Sequence, residues 1–481
     1  MVTTGPEGVN LHEMQGNIFC SYGRRYRAVR HLVLRVKNPV AARLALASMV
    51  DEDRETPDIT RAHRKPSEAA YDWCLNVSFT WRGLEALGLP RSTLDSFPPE
   101  FRQGMVARAD RLGDVGPSAP ANWLGGLGDA DNVHLVVTIH GWGPANLIPM
   151  TEQVLGLQGG RAFEQLSTDL PDGEIFPDPD SEKVHFGYRD GISQPRFEGA
   201  TDDGPTPGRP YTPLGAILLG HNAPLPAVQW RVPRPADRFG HNGTFNAFRV
   251  LRQDVVGFEE FLHASATTLG CTPELVAAKL CGRWRNGAPL TLAPTEAESK
   301  KAFTTDEMND FRYLEDDGFG TRCPIGSHIR RTNPRDARIV QRGSNDVRGV
   351  ARRGMPFGAL YNPEDPGPDE RGVSRGLLGN FVCASLSAQF EAMQADWVNL
   401  GLLDPSITGT NDPLAGANDE ATSTVSWPNP DGTQATLRGL PRFVTTLGGA
   451  YCFVPTIPAV KWVADEGWSQ GGRRPAATAA L

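Results

Sequence analysis

A proline- and glycine-rich stretch at residues 200–241 is the feature that most limits how this chain of 481 residues can fold. It includes the runs TDDGPTPGRPYTPLG and NAPLPAVQWRVPRPADRFG. Because prolines and glycines interrupt helices and strands, we interpret the stretch as a long connection that runs over the surface. It predicts two halves, an N-terminal one at residues 1–199 and a C-terminal one at residues 242–468.

The N-terminal half alternates strand-like and helix-like segments. The run HLVLRV (31–36) predicts a strand, and NPVAARLALASMV predicts a helix with Asn38 as its N-cap and Pro39 in its first turn. The runs CLNVSFT (74–80) and NVHLVVTIH (132–140) predict two further strands, each followed by a helix. This order is typical of layered α+β or α/β structure.

The C-terminal half begins in the same way, because TFNAFRVLRQDV (244–255) predicts a strand that leads into a helix. In the run SLSAQFEAMQADWVNLG, apolar residues recur every three or four positions, which indicates a helix with one face in the core. These residues are Leu386, Phe390, Met393, Trp397 and Leu400. The last residues, SQGGRRPAATAAL (469–481), predict a disordered tail.

Composition excludes several kinds of partner. The formal net charge is −8, from 48 basic and 56 acidic residues that are interspersed, which argues against nucleic acid or an anionic membrane. No apolar run reaches the ~20 residues of a membrane-spanning helix. The first residues lack a signal-peptide pattern, so we expect a cytoplasmic protein. The seven cysteines are widely spaced without a C-x-x-C pair, which favours free thiols.

Several common catalytic motifs are absent from the sequence. The ten histidines form neither H-E-x-x-H nor a zinc-type spacing with cysteine. The chain also lacks a G-x-S-x-G elbow, a G-x-x-x-x-G-K-[ST] phosphate loop and a G-x-G-x-x-G turn after a strand. Zinc-enzyme, hydrolase and nucleotide-binding functions therefore have no motif to support them.

His328 is the histidine with the most unusual surroundings. It lies in CPIGSHIRRTNPR (323–335), between two prolines and directly before several arginines that include Arg330. A neutral imidazole is a common proximal ligand of haem iron, and arginine pairs well with the haem propionates. The alternative is a solvated basic loop that binds nothing.

Two other segments contain charged residues in irregular backbone. In VRGVARRGMPFGALY (347–361), Arg352 lies at the end of a predicted short strand, just before a predicted Gly-x-Pro-x-Gly turn, and such a position can hold a guanidinium firmly. In VHFGYRDGISQPRFEG (184–199), Asp190 lies among glycines that let the backbone approach a flat group. A surface basic cluster is the alternative for the first segment.

Together these segments resemble the dye-decolourising peroxidase family. The family signature G-x-x-D-G is present as Gly187–Gly191, and Ser193-Gln194-Pro195 extends it. The runs HIRRTNPR and RRGMPFG are similar to the haem-ligand and distal-arginine segments, and GGAYCFVPTIPAV to the closing strand. The resemblance covers almost the whole chain and is nearest to the larger bacterial and fungal subgroup.

The resemblance implies an α+β fold of two ferredoxin-like halves, with antiparallel sheets, packed helices and one haem b held mainly by the second half. It implies that His328 is the axial ligand of the haem iron, Asp190 the distal carboxylate and Arg352 the distal arginine. The implied enzyme is a peroxidase that uses hydrogen peroxide, through a ferryl intermediate, to oxidise bulky aromatic dyes, phenols or similar reductants. A second hypothesis is a haem-binding or haem-delivery protein without turnover, which would need only His328.

Further residues are predicted around the haem. Many family members carry a phenylalanine where this chain has Gly379-Asn380, so we expect part of the apolar wall to come from neighbouring residues. The predicted haem contacts are Arg330, Gly191, Leu377 and Leu378, with Phe381 as a further candidate for the wall. Glu391 is the candidate partner of the His328 N–H. The candidates for electron relay from a surface-bound reductant are Trp397, Tyr361 and Tyr313.

Overall fold

The structure of the chain is a computed structural model. It describes residues 9–22, 25–51, 57–63, 72–180, 182–198, 200, 205–206, 208–225, 228–337, 348–367 and 370–466. The predicted tail at 469–481 lies outside these residues.

Most of the strands in the described part of the chain belong to one large sheet of nine strands. Its members are β1 (Ala28–Val36), β2 (Trp73–Phe79), β3 (Leu135–Gly141), β4 (Phe163–Gln165), β5 (Gly173–Glu174), β6 (Thr244–Gln253), β7 (Ala351–Phe357), β8 (Gly376–Cys383) and β11 (Val444–Val454). The strand order is β4-β1-β3-β2-β11-β6-β8-β7, and β5 pairs with β1. A separate hairpin consists of β9 (Thr424–Pro428) and β10 (Gln434–Arg438).

Helices pack against this sheet. The longer ones are Pro39–Ser48, Leu147–Gly160, Val255–Leu269, Pro273–Cys281, Leu386–Asn399 and Ile457–Asp465. Shorter ones are Gly16–Phe19, Trp81–Ala86, Arg91–Leu94, Pro99–Gln103, Ala109–Leu112, Glu296–Ser299, Tyr313–Asp317 and His328–Thr332. The antiparallel pairing and packed helices confirm the α+β class.

Most sequence predictions for individual elements hold, but the turn expected at residues 354–358 lies largely within strand β7, which continues to Phe357. The side chain of Asn38 accepts hydrogen bonds from the first backbone N–H groups of helix Pro39–Ser48, as expected of an N-cap. The apolar face of helix Leu386–Asn399 is buried, but Leu400 is 47% exposed. The prediction that Leu400 belongs to this buried face is wrong, because the helix ends at Asn399 and Leu400 no longer follows its periodicity.

The sheet joins strands from both parts of the chain. Strands β1 to β5 come before the proline-rich connection, and β6, β7, β8 and β11 come after it. The two groups meet where β11 runs antiparallel to β2, at the pair Phe453 and Phe79. Both phenylalanines are fully buried in a core that continues across this junction. The domain boundaries at residues 199 and 242 stay a prediction.

One face of the C-terminal group of strands positions the candidate site. Arg352 on β7 is paired with Phe381 on β8, and Gly354 is paired with Gly379. Because successive residues of a strand point to opposite sides, these four residues share one face of the sheet, which we call the site face. Within the described ranges, no helix is both long and apolar enough to span a lipid bilayer.

Candidate active site

The structure brings Asp190 and Arg352 together, although they are far apart in the sequence. Nη2 of Arg352 lies 3.2 Å from Oδ1 of Asp190. Gly187 and Gly191 on either side of the carboxylate have φ values of 81° and 78°, a conformation that side chains other than glycine rarely adopt. The backbone N–H of Arg352 also donates to the side-chain oxygen of Gln194 at 3.2 Å, which ties the signature segment to β7.

The surroundings of Asp190 favour its ionised form. The charge of Arg352 is the main cause, and it lowers the pKa of Asp190 against the opposing effect of burial. The backbone N–H of Gly191 acts in the same direction, and His328 is near enough to add to it when protonated. The side chains of Asp190 and Arg352 remain 41% and 40% exposed, so both are accessible to a small molecule.

His328 is oriented by a buried carboxylate. It is the first residue of helix His328–Thr332, and its Nδ1 lies 3.0 Å from Oδ2 of Asp412. The other carboxylate oxygen of Asp412 accepts the backbone N–H groups of Leu414 and Ala415 at 2.8 and 2.9 Å. Burial opposes ionisation of Asp412, but His328, Arg331 and the Ala415 N–H together hold its pKa below the usual value.

This contact determines which nitrogen of His328 is available. An ionised Asp412 accepts a hydrogen bond, so the neutral imidazole carries its proton on Nδ1. Nε2 then has a free lone pair, and it makes no hydrogen bond to any residue that the structure describes. The side chain is 29% exposed. A histidine held in this way is suited to bind a metal ion through Nε2.

The site face offers a bare strip beside Arg352. Gly354 and Gly379 lie opposite each other on β7 and β8. A Cβ atom at Gly354 would have the carbonyl oxygen of Leu378 as its nearest neighbour, at 3.5 Å, and one at Gly191 would meet nothing within 4 Å. A flat group can therefore approach the backbone at Gly354 and Gly191, whereas the ring of Phe381 lies 3.0 Å from the Cβ position of Gly379. The strip and the free imidazole nitrogen fit an iron porphyrin.

The structure corrects one of the two leucines predicted to contact the cofactor. Leu377 and Phe381 are half-buried and lie on the site face, where Leu377 is paired with Pro356 of β7. Leu378 points to the opposite face and is only 1% exposed, because it packs in the core with residues such as Met355. Asn380 also points away and donates to the carbonyl oxygen of Arg353.

Arg330 does not have the predicted role either. Its guanidinium is buried and donates to the carbonyl oxygens of Asp317 and Cys323 at 3.0 and 2.8 Å. It also lies over the ring of Tyr313, 4.6 Å from the ring centroid. These contacts make Arg330 part of the packing behind the His328 segment, and the prediction that it binds a haem propionate is wrong.

Glu391 is not the partner of His328. Its carboxylate is fully buried and is paired with Arg108, with Arg111 nearby, and it accepts the hydroxyl of Tyr451. The partner is Asp412, which sequence reasoning missed because it lies 84 positions from His328 in the chain. The run Asn-Asp-Pro is typical of a turn, but nothing local in it points to a histidine.

The three candidates for electron relay differ in accessibility. Tyr313 is 1% exposed and Trp397 2% exposed, so neither is a surface residue. Trp397 lies under the guanidinium of Arg348, 4.7 Å from the ring centroid. Tyr361 is half-buried beside Arg375 and is the one candidate of the three that keeps substantial contact with solvent.

Comparisons with known proteins give a consistent result. No family profile matches the chain. Among curated proteins, it is 27% identical over 474 residues to Peroxidase 2 of Mycetinis scorodonius, which covers 94% of this chain and 87% of the relative. It is 28% identical over 486 residues to the multifunctional dye peroxidase DyP2 of Amycolatopsis sp., which covers 94% of this chain and 96% of the relative.

Solved structures show the same similarity in three dimensions. A dye-decolorizing peroxidase in complex with 2,6-dimethoxyphenol superposes with a TM-score of 0.78 at 27% identity, over 95% of this chain and 100% of that one. An ancestral D-type dye-decolorizing peroxidase gives a TM-score of 0.77 at 27% identity, over 97% and 100%. Along nearly its whole length, the chain is therefore similar in sequence and in fold to dye-decolorizing peroxidases.

Proposed function

We propose that this peroxidase binds haem b through Nε2 of His328 and uses hydrogen peroxide to oxidise bulky aromatic dyes, phenols or similar reductants. The observation that carries the proposal is the contact between Asp190 and Arg352 on the face that also presents the bare glycine strip. Relatives of this chain are peroxidases, and the phenol 2,6-dimethoxyphenol is bound in one of the similar structures.

Each of the three residues has a distinct task. When bound, the haem supplies an iron that accepts peroxide and takes up its two oxidising equivalents. Asp190 is ionised when peroxide arrives, so it accepts the proton of the inner peroxide oxygen and returns it to the outer oxygen, which leaves as water. Arg352 provides a fixed positive charge where the departing oxygen becomes negative.

Asp412 acts through His328. By holding the proton on Nδ1, it keeps Nε2 free for iron, and its negative charge makes the imidazole a stronger electron donor. Gly191 and Gly354 leave room for the porphyrin, while Leu377 and Phe381 supply apolar contacts on the site face. The reductant then returns two electrons, either at the exposed edge of the site or through aromatic side chains such as Tyr361.

The same pair of residues argues against a haem carrier without turnover. A carrier needs His328 but has no use for an ionised carboxylate and a guanidinium held 3.2 Å apart beside the porphyrin. The discriminating experiment loads the protein with haem, records the Soret band and measures peroxide-dependent oxidation of 2,6-dimethoxyphenol. We expect turnover in the native protein and loss of haem from His328→Ala. Haem binding with no turnover on phenols or dyes would support the carrier instead.

A further inference from the structure

A row of four residues crosses the site face from Arg352 to Tyr451. Arg352 is paired with Phe381, Phe381 with Ala247, and Ala247 with Tyr451. All four side chains point to the same side, because directly paired residues of an antiparallel sheet share a face. Three strand spacings separate the ends of the row, so the backbones of Arg352 and Tyr451 are roughly 14 Å apart.

Aromatic rings fill the distance between these two residues. The ring of Phe381, next to Arg352 in the row, is 5.4 Å from the ring of Phe390 between centroids. Phe390 in turn is 6.2 Å from the ring of Tyr451. Phe390 and Tyr451 are each 2% exposed, so the part of the path beyond Phe381 lies in the interior of the protein.

Tyr451 has a proton acceptor already in place. Its hydroxyl donates to Oε1 of Glu391 at 2.8 Å, and Glu391 has no exposed surface. Burial, and the charge of Glu391 after it, raise the pKa of Tyr451 well above its ordinary value, so the phenol keeps its proton at neutral pH. The carboxylate of Glu391 is also paired with the guanidinium groups of Arg108 and Arg111, which are partly exposed.

We propose that Tyr451 is a redox site that takes one oxidising equivalent from the haem and holds it as a neutral tyrosyl radical. In this step one electron passes from the phenol to the oxidised cofactor, and the phenolic proton moves along the hydrogen bond to Glu391. The O–H bond of Tyr451 breaks and an O–H bond forms on Oε1 of Glu391, so atoms and charge balance. The inference rests on the proposed peroxidase function, which supplies the oxidant.

The chemistry of the acceptor separates Tyr451 from a comparable tyrosine. Oxidation of a phenol by one electron makes its hydroxyl strongly acidic, so even a carboxylate paired with arginine takes up the proton. Tyr188 is also buried and hydrogen-bonded, but its hydroxyl donates to the carbonyl oxygen of Ala277 at 2.7 Å. A backbone carbonyl cannot hold that proton. Tyr188 is therefore the matched control for Tyr451.

The test uses the haem-loaded full-length protein. It is mixed with one equivalent of hydrogen peroxide without any reductant and frozen, and electron paramagnetic resonance is recorded beside the optical spectrum of the haem. We expect a tyrosyl signal that narrows when the protein contains ring-deuterated tyrosine. The signal should be lost in Tyr451→Phe, decline in Glu391→Gln and persist in Tyr188→Phe, while the haem is oxidised in every variant.

The outcomes separate this inference from the proposed function. If peroxide leaves the haem spectrum unchanged in the native protein, the proposed function fails and the redox role falls with it. If the haem is oxidised but the same tyrosyl signal remains in Tyr451→Phe, the redox role alone is overturned. If Tyr451→Phe fails to bind haem, the native protein is measured in D₂O instead. The tyrosyl radical must then show coupling to one exchangeable deuteron, the one shared with Glu391. If this coupling is absent, the assignment of the radical to Tyr451 is overturned.

Discussion

Nδ1 of His328 lies 3.0 Å from Oδ2 of Asp412, and this contact joins a short helix to a loop 84 positions further along the chain. It determines the tautomer of the proposed iron ligand. Asp412 is also the centre of its own loop, because it accepts two backbone N–H groups and its carbonyl oxygen accepts the side chain of Asn418. The loop and the imidazole are therefore held by one carboxylate.

Replacing Asp412 with alanine should affect both stability and activity. The loss of a buried acceptor leaves the N–H groups of Leu414 and Ala415 unpaired, which lowers the free energy of unfolding by about 2–4 kcal/mol. Peroxidase activity should fall about 10- to 100-fold, because the imidazole loses its orienting partner. Urea unfolding and turnover with 2,6-dimethoxyphenol measure the two effects. Asp412→Asn keeps an acceptor oxygen for the loop, so equal destabilisation in both variants would contradict this role.

The pH dependence of the peroxide reaction should depend on Arg352. Asp190 works as a base only above its pKa, which Arg352 lowers, so the native rate constant should stay constant down to a lower pH than an ordinary aspartate would allow. Arg352→Leu removes the main lowering influence while burial continues to raise the pKa, so the acidic limb should move to higher pH. Arg352→Lys keeps a positive charge and should move it less. If the rate constants of the native protein, Arg352→Leu and Arg352→Lys all fall at the same acidic pH, Asp190 is not the titrating base.

The glycine strip should control haem binding. In Gly354→Leu the new side chain has space, since its Cβ would meet one backbone oxygen at 3.5 Å, but it covers the strip beside Arg352. We expect an apoprotein of near-native stability that takes up much less haem in titrations followed at the Soret band. Gly156→Leu, at an exposed helix position with nothing within 4 Å, is the control and should bind haem normally. Normal haem uptake by Gly354→Leu would place the porphyrin elsewhere.

Removing one partner of a buried ion pair should strongly destabilise the C-terminal group of strands. The guanidinium of Arg249 on β6 donates to both oxygens of Asp114 at 2.6 and 2.7 Å, and both side chains are almost fully buried. Asp114→Ala leaves the arginine charge unpaired and should cost about 3–5 kcal/mol in denaturant unfolding. The exposed pair of Arg35 and Glu164 is the comparison, and Glu164→Ala should cost under about 1 kcal/mol. Similar losses in the two variants would contradict the assigned difference.

Local patterns in the sequence were enough to predict many elements of the fold. The N-cap at Asn38, the strand at 31–36 and the apolar face that contains Phe390 depend on short-range periodicity and turn chemistry, which the sequence displays directly. The structure also places Asp190 and Arg352, the two residues to which the resemblance pointed, in contact. The roles of these residues in catalysis remain proposals.

Long-range contacts could not be predicted in the same way. Glu391 lies on the flank of a helix near the ligand segment in sequence, yet the fold turns it toward Tyr451 and Arg108, while Asp412 reaches His328 from a distant loop. Leu377 and Leu378 are neighbours with the same side chain, and only the pairing register of β8 determines which of them faces the site. Arg330 likewise appeared free for a propionate until the fold placed Asp317 and Tyr313 against it.

The reaction of the haem-loaded protein with peroxide, followed by stopped-flow absorbance in the native protein and in Asp190→Asn, tests the proposed function most directly. Asparagine preserves the size of the side chain but cannot take up the proton. The bimolecular rate constant should fall about 10²- to 10⁴-fold, while the Soret band before peroxide addition is unchanged. An unchanged rate constant in Asp190→Asn, with the haem fully bound, would contradict the assignment of Asp190 as the proton carrier of this peroxidase.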